Sequence, residues 1–409
     1  MEAKTNNKSL VYLEGALFLL FASILLPTNV KSIAVGLFCA VSFYHFFKSK
    51  NTFNTRFFLV NAAVYFLIVI TLIYSDNIAY GVRKLTSFLS LLLFPLCFAL
   101  FSRNDMRYLY SRLDKMLGVY LVTVVLFNVI PFLWFYITHY SFSDMLIHFP
   151  TVMRVDVGKY GIHPIYLSMH CSVAILFSMF ILRSLRSKWK IVGVLLLDAI
   201  LILFLLLYAK KGPILALMIV STLFILFQRK RAIVRPYIFA ILGLVVLMIA
   251  IPRTRNKFLE LQKIEVIGEG GPTSTNIRYT IYGVAKELIY ESPILGYGIG
   301  DYRDVLNKKY ETTGNSVLKE GRYNTHNQFL SLLTIGGVIL LLAFLSTLAI
   351  NLVFATRFNN ELFILVLLFY GIVMLTTNIL EREAGVIYFA LFFNFLSAKT
   401  LFVNPSDAS

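Results

Sequence analysis

The run IVGVLLLDAILILFLLLY, residues 191–208, decides the fold class: it is eighteen residues long and carries one charge, Asp198. About twenty apolar residues wound as a helix cross the ~30 Å hydrocarbon layer of a bilayer. The run stops at Ala209-Lys210-Lys211-Gly212-Pro213, and a second apolar stretch begins at once over 212–228. Working outward, comparable runs occupy 10–26, 30–47, 57–74, 85–101, 116–136, 165–182, 236–251, 328–354, 361–379 and 385–402. The expected architecture is therefore all-α, a polytopic integral membrane protein with about twelve transmembrane helices. Composition agrees. Of the 409 residues, 58% are hydrophobic and 14% charged, with mean hydropathy +0.76, whereas water-soluble globules carry about a quarter charged residues.

The net charge of +17 would point to nucleic acid in a soluble chain, but here its distribution assigns it to membrane insertion. With the N-terminus inside, the cytoplasmic loops carry Lys48, Lys50, Arg56, Arg103, Arg107, Arg112, Lys115, Arg183, Arg186, Lys188, Lys190, Arg229, Lys230, Arg231 and Arg235. The short outer loops carry only Lys31, Arg83, Lys84, Lys210 and Lys211. This bias places both termini in the cytoplasm, and no nucleic-acid partner is expected. Three segments follow: a transmembrane bundle over 1–251 with about nine spans, a long outer loop over 252–327, and C-terminal transmembrane helices with a short cytoplasmic tail over 328–409. The first apolar run is longer than a signal-peptide core and lacks a small-residue cleavage pattern, so it reads as a retained span.

The three cysteines, Cys39, Cys97 and Cys171, lie inside apolar runs and read as buried small hydrophobes. The histidines, His45, His139, His148, His163, His170 and His326, have no H-E-x-x-H or related spacing, so no metal site is expected. Asp198, at the middle of a span, needs a partner inside the bundle; a structural hydrogen bond is the favoured reading over a proton relay.

The long outer loop has its own pattern. Ile277, Ile281, Val284 and Leu288 recur at helical spacing, with Ser274 or Thr275 as the expected N-cap and Ser292-Pro293 as the stop. The loop thus contains an amphipathic helix that lies on the membrane or on the spans. It re-enters the membrane through Arg322-Tyr323-Asn324-Thr325-His326-Asn327-Gln328-Phe329-Leu330. Thr325 and Gln328 have capping-box spacing, which predicts Thr325 as N-cap and His326 in the first helical turn. There the helix N-terminus disfavours imidazolium and leaves His326 neutral, while free N–H groups favour an anion. A histidine that only hydrogen-bonds the loop fits the same spacing. Lys210 and Lys211 precede another helix start, with Pro213 suited to its first position. That pattern fits an anion held between lysines and helix, and equally lysines extended to the outer headgroups. Arg278 lies on the amphipathic helix beside Tyr279. Gly296-Tyr297-Gly298-Ile299-Gly300 lacks nucleotide-binding spacing and reads as a turn.

About twelve spans, a large outer loop between late spans, a basic hairpin before a span, an Arg-aromatic helix followed by Ser-Pro-Ile-Leu-Gly-Tyr-Gly, and His-Asn-x-x-Leu opening the next span together resemble the O-antigen ligase and O-antigen polymerase family. The resemblance is most specific from about Tyr208 to Gly337. It implies a glycosyltransferase in the bacterial inner membrane whose active site faces the periplasm. The implied donor is a glycan on undecaprenyl diphosphate, and the acceptor is a lipid A-core sugar hydroxyl or, for a polymerase, another carrier-linked glycan. Neither nucleotide, metal nor other cofactor is implied. His326 matches the loop histidine taken as catalytic, Arg278 the loop arginine, and Lys211 falls where the family usually has arginine. Lysine is a point charge and arginine a planar fork, so Lys211 would hold diphosphate less directionally, with Lys210 assisting. Asn327 and Tyr323 are expected to orient the histidine or the acceptor. A single displacement, with His326 as base, would invert the anomeric centre. Twelve spans also suit a secondary transporter, but the halves of this chain are dissimilar and its cations gather at the outer interface, not the midplane.

Overall fold

The computed structural model describes residues 8–227, 231–267 and 272–401, and all regular structure among them is helical. Among the described residues seven helices are long and apolar enough to cross a membrane: Lys8–Leu25, Asn29–Ser49, Thr55–Tyr74, Leu113–Thr138, Pro164–Ser184, Lys188–Tyr208 and Gln328–Arg357. Ile78–Phe88 and Ser90–Ala99 meet at a 43° bend and make an eighth span if the pair crosses as one. Lys211–Leu226, Ile241–Ala250 and Glu361–Met374 are apolar but shorter, and Glu383–Leu401 closes the series. Among the described residues each apolar run of the sequence therefore lies mostly on helix, and the protein is a multi-pass membrane protein. Arg229, Lys230, Gln228 and Phe402 lie outside the described residues.

The chain divides into two compact units, each assembled from separated segments. The first comprises Met1–Phe57, Leu96–Val246 and Phe395–Ser409; the second comprises Phe58–Pro95 and Leu247–Asn394.

In the first unit, helix Pro164–Ser184 is buried along nearly its whole length. It packs against Leu113–Thr138, Lys188–Tyr208 and Lys211–Phe227. Polar groups buried this deeply must find partners. The Tyr120 hydroxyl meets His170 Nδ1 at 2.6 Å, and Ser178 donates to Asp198 at 2.7 Å, the structural hydrogen bond expected for that carboxylate. The Cys39 and Cys97 sulfurs lie 3.3 Å apart as free thiols.

In the second unit the long loop over 252–327 folds on itself. Helices Ser274–Glu291, Gly298–Thr312 and Ser316–Gly321 bury Ile281, Val284, Leu288, Leu306, Tyr310 and Leu318 in one apolar cluster. The first of these helices also packs on Gln328–Arg357. Its N-cap is Thr273, whose side chain accepts from Asn276 N, one residue before the expected Ser274 or Thr275. Ser292 is its C-cap, where the stop was expected.

Helix Gln328–Arg357 breaks at Gly336 and Gly337, and the turn after the amphipathic helix docks into the break. Tyr297 N donates to Thr334 O at 2.9 Å, and Val338 N to Pro293 O at 2.8 Å. Backbone groups released by the kink are thereby satisfied from the loop, as a membrane-embedded helix requires. Gly337 has φ +61°, and a Cβ there would lie 2.1 Å from Ile294 O, so only glycine lets the two chains approach. The glycine-rich stretch next in sequence packs on residues 71–77: Ile299 N donates to Thr71 Oγ1, Gly300 N to Ser75 Oγ, and Asp301 accepts from the amides of Asp76 and Asn77. The expectation of a turn holds only up to Tyr297, the N-cap; Gly298, Ile299 and Gly300 open helix Gly298–Thr312, because glycines there let the helix start pack closely on residues 71–77.

Candidate functional site: a buried, cation-ringed histidine

The helix that re-enters the membrane starts at Gln328, and its N-cap is Asn327, whose Oδ1 accepts from Phe329 N at 2.9 Å and Leu330 N at 3.1 Å. This corrects the expectation of Thr325 as cap. His326 stands just before the cap, outside the first helical turn, in the left-handed region at φ 47°. The amides expected to be free for an anion are occupied by Asn327. The reason is chemical: asparagine is as strong a cap as threonine, and here Gln328 faces away from the capping box to accept from Leu380 N at 2.9 Å.

Left-handed backbone is costly for a residue with a Cβ, so the conformation of His326 must be held from several sides. Its N–H donates to Asn324 Oδ1 at 3.2 Å. Its carbonyl accepts from the Tyr282 hydroxyl, which belongs to the amphipathic helix. Thr325, on its other flank, is buried and exchanges hydrogen bonds with Asn378. Asn378 in turn donates to Glu381 Oε1 at 2.6 Å, where Ser331 also donates at 2.8 Å, and Asn324 donates to Glu381 Oε2 at 3.1 Å. Glu381 is therefore the hub of the scaffold behind the histidine. Burial alone would raise its pKa; the charges of Lys84 and Arg303 and the hydrogen bonds from Asn378 and Ser331 together hold it below the usual carboxylate range.

The imidazole itself makes no hydrogen bond among the described residues; its nearest aromatic neighbour is Tyr323, with ring centroids 5.9 Å apart. Burial, followed by the positive charge of Arg278 and weaker contributions from Arg303 and Arg382, lowers its pKa to about 4 against the opposing pull of Glu381. His326 is thus neutral at physiological pH because of desolvation and neighbouring cations, not because of a helix terminus. Arg278 is half-buried, and burial works against its charge. It makes no ion pair or hydrogen bond among the described residues, so an anion beside it would be strongly held.

The second unit thus brings together four of the sequence-derived site residues: His326, Arg278, Tyr323 and Asn327. Lys210 and Lys211 belong to the first unit. Helix Lys211–Phe227 starts at Lys211, so Pro213 is its third residue and not its first. Lys211 is buried and engaged, not extended as a headgroup-seeking side chain. Glu381, Asn378, Lys84 and Arg303 escape sequence reading. For the charged ones, the one signal was charge placed between apolar runs or within the long loop, as in Glu381-Arg382-Glu383. Among the described residues no group of three or more His, Cys, Asp or Glu could hold a metal ion.

Residues 196–345 match the family model of the O-antigen ligase (Wzy_C). This segment is similar to the O-antigen ligase family domain. The match contains Lys210, Lys211, Arg278 and His326, and spans the whole stretch from Tyr208 to Gly337 on which the resemblance rested. O-antigen ligase domains belong to glycosyltransferase-type membrane enzymes that act on lipid-linked glycans. No curated protein shows a significant match to the chain.

Proposed function

We propose that the protein is an O-antigen ligase-like enzyme that transfers a glycan from undecaprenyl diphosphate to a lipid A-core sugar hydroxyl, at the periplasmic face of the bacterial inner membrane. The observation that carries this reading is a neutral imidazole, His326, in the charge field of a guanidinium, Arg278, neither with a side-chain hydrogen-bond partner among the described residues, inside the matched segment.

The donor brings its own leaving group, so two things are required of the protein. One is a base for the acceptor proton; the other is positive charge where the diphosphate departs. His326 takes the proton from the acceptor hydroxyl as its oxygen bonds to the anomeric carbon. The bond from that carbon to the phosphate oxygen breaks, and the electron pair leaves with the diphosphate. Arg278 stabilises the developing charge; a diphosphate contact by Lys211, assisted by Lys210, is proposed on the family resemblance alone. One displacement inverts the anomeric centre, and no metal is needed. Tyr323 packs beside the imidazole, and Asn327 fixes the helix start that follows it. The same chemistry with a second carrier-linked glycan as acceptor would make the protein a polymerase.

Purified protein in nanodiscs, given carrier-linked glycan and either acceptor, tests the reading. Transfer to lipid A-core is expected for the native chain and its abolition for His326→Ala; Lys211→Arg should retain transfer. Product formed only on a second carrier-linked unit would overturn the ligase assignment, and full activity of His326→Ala would remove the histidine as base.

A further inference from the structure

Arg303 lies on helix Gly298–Thr312, within the matched domain but outside every motif of the sequence. Its Nη2 donates to Arg322 O at 2.7 Å, which pins one edge of the guanidinium. Its Nη1 is enclosed and has no hydrogen-bond partner among the described residues. No carboxylate pairs with it there. An enclosed guanidinium edge without an acceptor is costly, because a charged donor loses its hydration with nothing in return.

The surroundings sharpen the imbalance. Arg303 is close enough to His326, Lys84 and Glu381 to influence the charge of all three. The cations facing this region from the packed elements are Lys84, Arg278, Arg303 and Arg382; the carboxylates are the buried Glu381, Glu260, which acts on Arg278, and Asp304, which acts on Tyr80 together with Arg303. Glu381 is already engaged by Ser331, Asn378 and Asn324. The set therefore carries more positive charge than its own residues neutralise. An anionic ligand with several acceptor oxygens would satisfy the open guanidinium edge and offset the excess, and a planar fork held at one edge suits phosphate oxygens.

We propose that Arg303 is a donor-binding residue: its Nη1 edge contacts a phosphate oxygen of the carrier diphosphate on the side of His326 served by Lys84 and Glu381, as a partner to Arg278. This rests on the function proposed above and adds to it a contact that the family-like motifs do not contain. It gives the leaving diphosphate two arginines fixed within one unit, where the hairpin position has lysine.

Binding of undecaprenyl diphosphate, without glycan or acceptor, to the full-length protein in nanodiscs tests it directly. Native protein, Arg303→Lys and Arg303→Met are compared, with thermal unfolding of each to register folding. The expected result is affinity weakened about tenfold or more in Arg303→Met, partly restored in Arg303→Lys, with donor KM rising in parallel and acceptor KM unchanged. Equal affinity of the native and Met proteins would overturn the proposal, as would a rise confined to acceptor KM. If Arg303→Met fails to fold, Arg303→Lys decides: its fork is lost and its charge kept, so native-like affinity would overturn a directional contact. Failure of the native protein to bind the carrier would instead overturn the proposed function itself.

Discussion

The Tyr282 hydroxyl reaches the main-chain oxygen of His326 at 3.3 Å, and the same hydroxyl lies 3.1 Å from Leu375 O. One side chain of the outer loop therefore ties the candidate base to the end of helix Glu361–Met374. Tyr282→Phe keeps the ring packing and removes the tie. We expect kcat to fall about two- to tenfold, the equivalent of one hydrogen bond, with donor affinity unchanged. Steady-state kinetics of glycan transfer check this; an unchanged kcat would mean that Asn324 and the Glu381 scaffold hold the histidine alone.

Glu381 accepts three side-chain hydrogen bonds while buried at 6% exposure. Glu381→Gln removes the charge that faces Lys84 and Arg303 and turns an amide donor toward other donors. A loss of about 2–3 kcal/mol in stability is expected, with transfer reduced because Asn324 no longer fixes His326 N. Thermal unfolding in detergent and transfer assays measure the two effects. Native-like melting would show that the scaffold does not depend on the carboxylate.

The pH dependence of the two kinetic parameters should differ. A base acts when unprotonated, and His326 has its pKa lowered to about 4 in the free protein, so kcat/KM should hold through neutral pH and fall only as pH drops through about 4. Diphosphate bound beside Arg278 offsets the cationic field and returns the histidine toward its ordinary value, which places the acid limb of kcat at higher pH. Arg278→Met should raise the kcat/KM limb for the same reason. Coincident limbs in the native enzyme would argue that the anion does not bind beside His326. The lowered pKa also has a stability consequence. The unfolded chain takes the proton first, so the stability contributed by neutral His326 is complete above about pH 6.5 and is lost as pH falls toward about 4.

Gly337 has φ +61° and ψ −159°, a region that residues with a Cβ almost never enter. Gly337→Ala should cost at least about 1–3 kcal/mol from backbone strain alone, and more from the contact with Ile294 O. Gly283 is the control: it lies in helix Ser274–Glu291 with nothing within 4 Å of an added Cβ, so alanine there should be neutral or stabilising by about 0.5–1 kcal/mol. Thermal unfolding of the pair measures the contrast. Equal melting temperatures would remove the close approach as a structural requirement.

The sequence by itself determined the solvent and therefore the class. Apolar runs of this length admit only helices in a membrane, because every backbone N–H and C=O must be satisfied within the segment. It also located the amphipathic loop helix, since Ile281, Val284 and Leu288 could share a face only at helical spacing, and it marked His326 and Arg278. What it misplaced was local: the cap at Asn327, where two adjacent residues compete for one role and a distant peptide, Leu380 N, draws Gln328 away. What only the tertiary structure decided was the company those residues keep. Glu381 follows His326 by 55 positions and Lys84 precedes it by 242; no periodicity or motif links such distances, because the pairing is made by helices packing side by side. The low pKa of the histidine is of the same kind. It comes from burial and from cations on other elements, and desolvation is a property of what surrounds a group, not of its neighbours along the chain.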